Sequence, residues 1–221
     1  MSDAFILSAC RTPIGKFGGS LSSVPVTELG AIAVREAVAR AGIEPSVIED
    51  VILGIVLPAG VGQAPARQAA LRAGLPPTAA ALTVNKMCGS GLKAVMLAAQ
   101  GVRCGDADLV VAGGMESMSQ AAWVLPREAA GQDDRKLIDS MMHDGLTCTF
   151  SKRSIGEVAE DLAQKADISR EDQDRFALES HRRAVDAANA GVFAAEIVPV
   201  SVRRGSDELL ITRDEGPRSD T

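Results

Sequence analysis

Apolar and polar residues are arranged along the first half of the chain in a way that predicts strands separated by helices. Short apolar runs have the length of buried strands, whereas apolar residues spaced three or four apart indicate helices. The predicted strands cover residues 5–9, 51–56, 80–84 and 108–112, and the predicted helices cover residues 27–41, a segment ending near 73, and residues 90–103. This alternation implies crossover connections and a mostly parallel sheet covered on both faces.

The pattern changes after Gly114, where charged residues become frequent. Residues 1–114 contain 9 Lys and Arg and 8 Asp and Glu, whereas residues 115–221 contain 14 and 21. Apolar residues at helical spacing begin at Ile155, and residues 169–172 resemble a capping box that opens a second helix, ending at Gly191. We therefore divide the chain into an α/β core unit, residues 1–114, and a smaller, largely helical unit, residues 115–221.

The end of the chain carries one more strand signal. Residues 196–200, Glu-Ile-Val-Pro-Val, predict a strand near a sheet edge, because proline has no N–H to donate to a neighbouring strand. Residues 205–221 are polar and offer no obvious apolar face for packing.

Composition and charge exclude several classes of function. Apolar residues at 46% and charged residues at 24% are ordinary for a soluble globular protein. The net charge of -6 argues against nucleic acid or an anionic membrane surface as the main partner. The N-terminus lacks the features of a signal peptide, and no apolar run reaches the roughly 18 residues of a membrane span. We therefore expect a cytoplasmic protein that binds neither nucleic acid nor membrane.

The cysteines show no metal-binding spacing. No C-x-x-C pair occurs, and neither His143 nor His181 lies at ligand spacing from a cysteine. In a reducing compartment disulfides are not expected either. We therefore expect no metal site, and four free thiols: Cys10, Cys88, Cys104 and Cys148.

Cys88 lies at the junction of the strand predicted at 80–84 and the helix predicted at 90–103. The small residues Gly89, Ser90 and Gly91 leave the first helical turn open, and the unpaired N–H groups there favour negative charge. A thiol at this place is easier to ionise, and the thiolate is the nucleophilic form. The alternative is that Cys88 is a small buried apolar residue.

The same stretch also matches a dinucleotide-binding fingerprint. Residues 89–94 fit G-x-G-x-x-A between a strand and a helix. That motif needs an acidic residue about twenty positions on, at the end of the next strand, to hold the ribose. Here the next strand ends in two glycines and Glu116 follows late, so nucleotide binding is the weaker hypothesis.

Basic residues of the second unit come in pairs that could bind a phosphate-bearing ligand. Arginine recognises phosphate through charge-assisted hydrogen bonds, and local rather than total charge decides such binding. The alternative is a solvated helical surface. The residues concerned are Lys152, Arg153, Arg182, Arg183, Arg203, Arg204, Arg213 and Arg218.

Several segments together resemble the thiolases, enzymes that make or cleave 3-oxoacyl-CoA. They occur in the family's order over nearly the whole chain, and Cys-Gly-Ser-Gly followed by Gly-Gly-Met-Glu-Ser-Met is specific. Within the family the chain is most similar to acetyl-CoA acetyltransferases. The matching segments are residues 10–19 (CRTPIGKFGG), 62–69 (GQAPARQA), 85–95 (NKMCGSGLKAV), 111–119 (VAGGMESMS) and 196–200 (EIVPV).

The resemblance implies a layered α/β/α fold with a mixed, mostly parallel sheet and a helical loop domain. It also implies covalent catalysis, in which Cys88 takes up the acyl group and its own N–H is one donor of an oxyanion hole. Leu146 matches a residue that lines the pantetheine of coenzyme A, and Arg218 matches one near its nucleotide. Ile155 falls where the family often has a methionine beside the acyl pocket. The coenzyme A thioester is the substrate, and no resident cofactor is implied.

The chain lacks the motifs of the second thiolase half, which are an Asn-Glu-Ala-Phe stretch, a Gly-His-Pro stretch and a second cysteine. Claisen condensation of two acetyl-CoA to acetoacetyl-CoA and CoA also needs a base and further oxyanion donors. The loss of one such donor typically costs about a hundred- to a thousandfold, and loss of the base a similar factor. We therefore expect the chain alone to be almost inactive.

Three alternatives remain for the role of the chain. It is the N-terminal portion of an acetyl-CoA acetyltransferase that works as a homo-oligomer or with a C-terminal thiolase half, supplied by a separate gene or by the remainder of a longer chain. It is a portion of a longer-chain 3-ketoacyl-CoA thiolase. Or it is a non-catalytic remnant that binds coenzyme A or interacts with a full-length thiolase.

Overall fold

A parallel sheet of three strands lies at the centre of the first unit in the computed structural model, which describes residues 3–127 and 136–221. The spatial order is β2-β1-β3, so β1 is the central strand. The predicted parallel sheet is confirmed. The strands are β1 (Asp50–Gly54), β2 (Ala80–Val84) and β3 (Val110–Gly114).

The three strands end at the same edge of the sheet. Gly54, the last residue of β1, is level with Val84 of β2 and with Gly114 of β3. Functional groups of parallel α/β sheets collect at the carboxyl ends of the strands. The loops that follow the three strands are therefore the place to look for a site.

Three helices connect and cover the strands, as the sequence predicts. The first and third end at glycines in the left-handed conformation, with φ of 66° at Gly42 and 80° at Gly105. The second begins at Pro65, whose missing N–H is harmless in a first turn. The helices are α1 (Val26–Ala41), α2 (Pro65–Arg72) and α3 (Ser90–Cys104).

The core follows from the alternation of side chains along β1. Val51 and Leu53 point to one face and are buried in a cluster with residues of α1 and α2, including Val34 and Ala69. Ile52 points to the other face and is buried outside that cluster. Helix α3 contacts all three strands, and its buried Ala94 is also outside the cluster. The sheet is thus covered on both faces, which confirms the layered fold class.

The strand predicted at residues 5–9 is wrong. Phe5 and Ile6 are 80% and 81% exposed, and residues 5–9 form no ladder with any described residue. The Ser8 hydroxyl instead donates to the Ala37 carbonyl of α1, at 2.6 Å. An apolar run becomes a strand only where a second strand supplies hydrogen-bond partners, and no described residue does so here.

The second unit is mainly helical. Ser154 and Glu157 form a full capping box at the start of α4, and the Ser169 hydroxyl accepts from the Asp172 N–H at the start of α5. The predicted helices are therefore confirmed, and Gly191 lies just beyond the second, with φ of 73°. The helices are α4 (Ile155–Lys165) and α5 (Arg170–Asn189).

Two short hairpins complete the fold. The strand predicted at residues 196–200 is wrong for its first four residues, where Ile197 forms only a single parallel bridge, with Arg11. The strand begins at Val200, as β6 (Val200–Arg204). Val200 and Val202 of β6 pack against Leu21, and Ile211 of the following strand packs against the same cluster, so residues 205–221 do join a core. No helix in the two described ranges is long and apolar enough to cross a membrane. The strands are β4 (Trp123–Val124), β5 (Ile138–Asp139), β6 (Val200–Arg204) and β7 (Asp207–Ile211).

Candidate active site

Cys88 lies on the turn between β2 and α3, as the sequence predicts. Its side chain is exposed, so the alternative of a buried apolar cysteine is wrong in this structure. Gly89 is the N-cap residue of α3, and Ser90 is the first helical residue. The thiol is therefore two positions from the start of a fifteen-residue helix, where the backbone N–H groups favour negative charge.

Hydrogen bonds within the turn fix the backbone on both sides of Cys88. The Ser90 hydroxyl accepts from the Lys86 N–H at 2.8 Å and donates to the Met87 carbonyl at 2.6 Å. The Gly89 N–H donates to the Lys86 carbonyl at 3.1 Å, and the Ser90 N–H donates to the Met87 carbonyl at 3.0 Å. Ser90 itself is only 4% exposed. The thiol is accessible, but the backbone that carries it is held.

Met87, immediately before Cys88, has a left-handed backbone with φ of 50°. For a residue with a side chain this conformation costs about 1–2 kcal/mol. The Asn85 side chain holds it, since Asn85 Oδ1 accepts from the Met87 N–H at 2.9 Å. Asn85 Nδ2 also donates to the Val56 carbonyl at 3.1 Å, in the loop after β1. Each such bond contributes about 0.5–1.5 kcal/mol net, enough to offset the strain.

The start of α3 rests directly on the ends of the strands. A Cβ atom at Gly54 would lie 2.5 Å from the Ser90 Cβ and 2.7 Å from the Gly91 nitrogen. A Cβ atom at Gly114 would lie 3.2 Å from the Gly91 Cα. The glycines that end β1 and β3 are therefore needed for close approach of the helix to the sheet.

Glu116 lies two residues beyond β3 and is half-buried. Its carboxylate accepts from the Val56 N–H at 2.7 Å, and the N–H groups of Leu57 and Ser117 also hydrogen-bond to it. Burial raises the pKa of Glu116 more than these N–H groups lower it. Because the backbone occupies this carboxylate, it does not match the ribose-binding acid of a dinucleotide site.

Leu146 and Ile155 lie on either side of one turn, residues 147–154. Leu146 ends a π-helical segment, Met141–Leu146, and Ile155 begins α4 with its side chain half exposed. A bridge between Thr147 and Ser154 holds the two arms of the turn together. A Cβ atom at Gly145 would lie 3.4 Å from Leu57 Cδ2. The π-helical segment that ends at Leu146 therefore packs on the loop after β1, at the same end of the sheet as Cys88.

Arg218 lies in the exposed segment that follows β7. Its N–H donates to Nδ1 of His181 on α5, at 3.2 Å. Asp214 fixes the same segment, since its carboxylate accepts from two nitrogens of the Arg11 guanidinium, at 2.7 and 2.9 Å. Among residues 3–127 and 136–221, no hydrogen bond joins Arg218 to the Cys88 turn.

Several of the paired basic residues are neutralised by nearby acids. Arg182 and Arg183 both form ion pairs with Glu179 on α5, and Arg153 pairs with Asp161 on α4. These three fit the alternative of a solvated helical surface. Within the described ranges, no group of three or more His, Cys, Asp or Glu side chains could hold a metal ion.

The hydrogen bonds of three residues at this edge of the sheet, Asn85, Ser90 and Glu116, do not follow from sequence spacing alone. One local signal exists for Asn85. An asparagine whose side chain accepts from the N–H two residues on forms an Asx turn, and the residue type favours that geometry where a strand ends. The contact of Glu116 with Val56 spans 60 residues and has no local signal.

A family model described as "Thiolase, N-terminal domain" matches residues 4–221. The chain belongs to the thiolase family. It is 50% identical over 218 residues to an "Acetyl-CoA acetyltransferase" of Cupriavidus necator. The aligned residues cover 97% of this chain and 56% of the relative. It is 47% identical to "Acetyl-CoA acetyltransferase, mitochondrial" of Danio rerio, over 97% of this chain and 51% of that protein.

A third relative, "Probable acetyl-CoA acetyltransferase" of Escherichia coli, is 46% identical over 100% of this chain and 56% of its own length. The thiolase chain thus spans about half the length of the curated relatives it matches. The resemblance read from residues 10–19, 85–95 and 111–119 is confirmed for the family and for the fold. The roles of Cys88 and of the coenzyme A contacts stay predictions.

Proposed function

We propose that this thiolase chain carries the acyl-accepting part of an acetyl-CoA acetyltransferase site. The Cys88 sulfur attacks the carbonyl carbon of a coenzyme A thioester, the bond between that carbon and the coenzyme A sulfur breaks, and the acyl group stays on Cys88. Free coenzyme A leaves and takes up a proton. The observation that carries this proposal is the exposed Cys88 on a fixed turn at the start of α3.

The second step forms a carbon–carbon bond. A base removes a proton from the methyl group of a second acetyl-CoA, and the resulting carbanion attacks the acyl carbon on Cys88. Acetoacetyl-CoA leaves, and the Cys88 thiolate is restored. We infer that the base and further oxyanion donors come from outside residues 1–221, since these residues span only 51–56% of relatives named for this activity.

Residues 115–221 supply the coenzyme A contacts in this proposal. The turn of Leu146 and Ile155 lies at the site end of the sheet and lines the acyl-pantetheine side, and Arg218 contacts the nucleotide. Exposed apolar residues around Cys88 support an assembly with further polypeptide, as a homo-oligomer or with a C-terminal thiolase half. They are Leu82 on the sheet edge and Leu92, Val95 and Met96 on α3.

The first experiment is intact-mass measurement of the folded protein after brief exposure to acetyl-CoA, with peptide mapping of any adduct. We expect one acetyl group on Cys88, and none on that peptide in the Cys88→Ser variant. Unmodified Cys88 in folded protein would contradict an acyl-accepting role for the chain alone. Alkylation of Cys88 then tests the remnant alternative, because only a catalytic chain loses acyl transfer in the reconstituted assembly.

A further inference from the structure

Glu116 joins the end of β3 to the loop after β1. Its carboxylate accepts from the Val56 N–H at 2.7 Å, and the neighbouring Met115 N–H donates to the Gly54 carbonyl at 2.9 Å. Val56 is therefore held from one side by Glu116, and Met115 holds the neighbouring Gly54. This arrangement lies at the carboxyl edge of the sheet, where the Cys88 turn also begins.

The same Val56 holds the Cys88 turn from the other side. The Val56 carbonyl accepts from Asn85 Nδ2 at 3.1 Å, and Asn85 Oδ1 accepts from the Met87 N–H at 2.9 Å. Met87 is the left-handed residue that directly precedes Cys88. A continuous series of contacts thus runs from the Glu116 carboxylate through Val56 and Asn85 to the backbone that carries the thiol.

We propose that Glu116 is a positioning residue for Cys88, acting through Val56 and Asn85. The inference rests on the proposed function only in that it takes Cys88 to be the acyl carrier. Glu116 touches neither Cys88 nor, in this proposal, the substrate. Its role is to keep Val56 where Asn85 can hold Met87 in its left-handed conformation, which keeps the thiol at the start of α3.

Glu49 provides a matched control at the opposite edge of the same strands. Its carboxylate accepts from the N–H groups of Asp108 and Leu109, and so joins the start of β1 to the start of β3. Both glutamates therefore tie β1 to β3 through backbone N–H groups, but only Glu116 leads to Cys88. If Glu116 had a purely structural role, removal of either glutamate would affect Cys88 to a similar extent.

The readout is the ratio of alkylation rates of Cys88 and Cys104 with iodoacetamide in the native protein. Both thiols are exposed and lie at the two ends of α3, and trypsin separates them into different peptides. We expect Glu116→Ala to lower the Cys88 to Cys104 ratio by about two- to fivefold, as the thiol leaves the helix start. We expect Glu116→Gln, which keeps an acceptor oxygen, to restore most of it, and Glu49→Ala to leave it unchanged.

Asn85→Ala keeps the test decisive if Glu116→Ala fails to fold, because exposed Asn85 is not part of the core. We expect the same fall in the ratio. A ratio unchanged or raised in both variants, or lowered equally by Glu49→Ala, would overturn the positioning role and leave the proposed function standing. A wild-type ratio near one would instead count against both, since Cys88 would then gain nothing from its turn.

Discussion

Gly54, at the end of the central strand, packs against Ser90, the first residue of α3, so closely that no side chain fits between them. This contact places the helix start on the sheet. The Ser90 hydroxyl in turn hydrogen-bonds to the backbone of Lys86 and Met87, which lie between the end of β2 and Cys88. The place of the thiol in this thiolase is therefore set by packing under the helix as well as by the turn itself.

Replacement of Gly54 tests that packing. We expect Gly54→Ala to lower the free energy of unfolding by about 1–3 kcal/mol, because the added Cβ meets backbone and side-chain atoms of Ser90 that cannot move freely. Urea unfolding followed by circular dichroism measures it. Gly113→Ala is the control, since the nearest atom to its added Cβ would be Leu53 Cδ2 at 3.9 Å. We expect that change to stay within about 0.5 kcal/mol, and equal losses for both would contradict the packing argument.

Two glycines, one inside α3 and one at its C-terminal cap, give opposite expectations. Gly101 lies inside the helix, and a Cβ atom there meets nothing within 4 Å. We expect Gly101→Ala to raise the free energy of unfolding by about 0.5–1 kcal/mol, because alanine loses less backbone entropy. Gly105 also has open space but a φ of 80°, so Gly105→Ala should cost about 1–2 kcal/mol. Thermal melts of the two variants should shift in opposite directions, and a shared direction would contradict the helix assignment.

The elements around Cys88 could be predicted because their signals are local. The strand predicted at residues 80–84 has the same bounds as β2, and the helix predicted at 90–103 ends one residue later, at Cys104. The strand predicted at 108–112 lies at 110–114. The shift has a cause outside the segment, since the N–H groups of Asp108 and Leu109 bond to the Glu49 carboxylate.

What could not be predicted depends on contacts between distant segments. The last residues look polar, yet Ile211 packs on the cluster of Val200 and Val202. Glu215 accepts from the N–H groups of Lys16 and Ser20, about two hundred residues earlier. No sequence period reports such contacts. The apolar run at residues 5–9 has the local pattern of a strand, but no described strand lies beside it to supply hydrogen-bond partners.

The ion pair between Arg11 and Asp214 makes stability depend on pH. The Arg11 guanidinium, helped by the Ile14 N–H, holds the pKa of Asp214 below its usual range. Ionised Asp214 therefore stabilises the fold above its unfolded pKa of about 3.9, and the effect is lost as the pH falls through the lower folded value. We expect Asp214→Asn to cost about 1 kcal/mol at pH 7, discounted for partial exposure.

Urea unfolding at pH 7 and pH 3 tests this sign. The difference between wild type and Asp214→Asn should shrink at pH 3, because this pH lies below the unfolded pKa of about 3.9 and the unfolded chain already takes up the proton there. Asp174→Asn is the control, because Asp174 pairs with Arg170 on the exposed surface of α5. That change should cost less than about 0.5 kcal/mol. If Asp214→Asn did not lower the free energy of unfolding at pH 7, or lowered it as much at pH 3, the stabilising role of ionised Asp214 would be contradicted.

Cys148 lies outside the Cys88 turn and has a lowered pKa of its own. The Ser151 hydroxyl, with the N–H groups of Ser151 and Phe150, hydrogen-bonds to its sulfur and lowers the pKa of Cys148. The thiolate therefore forms at lower pH than for an ordinary cysteine. We expect Ser151→Ala to slow alkylation of Cys148 at pH 7 and to shift its pH profile upward, with little change at a pH where the thiol is fully ionised.

Cys10 is the internal control for that profile. Burial raises the pKa of Cys10, and its thiol donates to the Ala33 carbonyl at 3.3 Å. Cys10 should therefore react more slowly than Cys148 and should not respond to Ser151→Ala. If the Ser151 change altered both cysteines, general loosening of the fold would explain it. If it altered neither, the Ser151 hydroxyl would not be what lowers the pKa of Cys148, and the N–H groups of Ser151 and Phe150 with Lys152 would have to account for it.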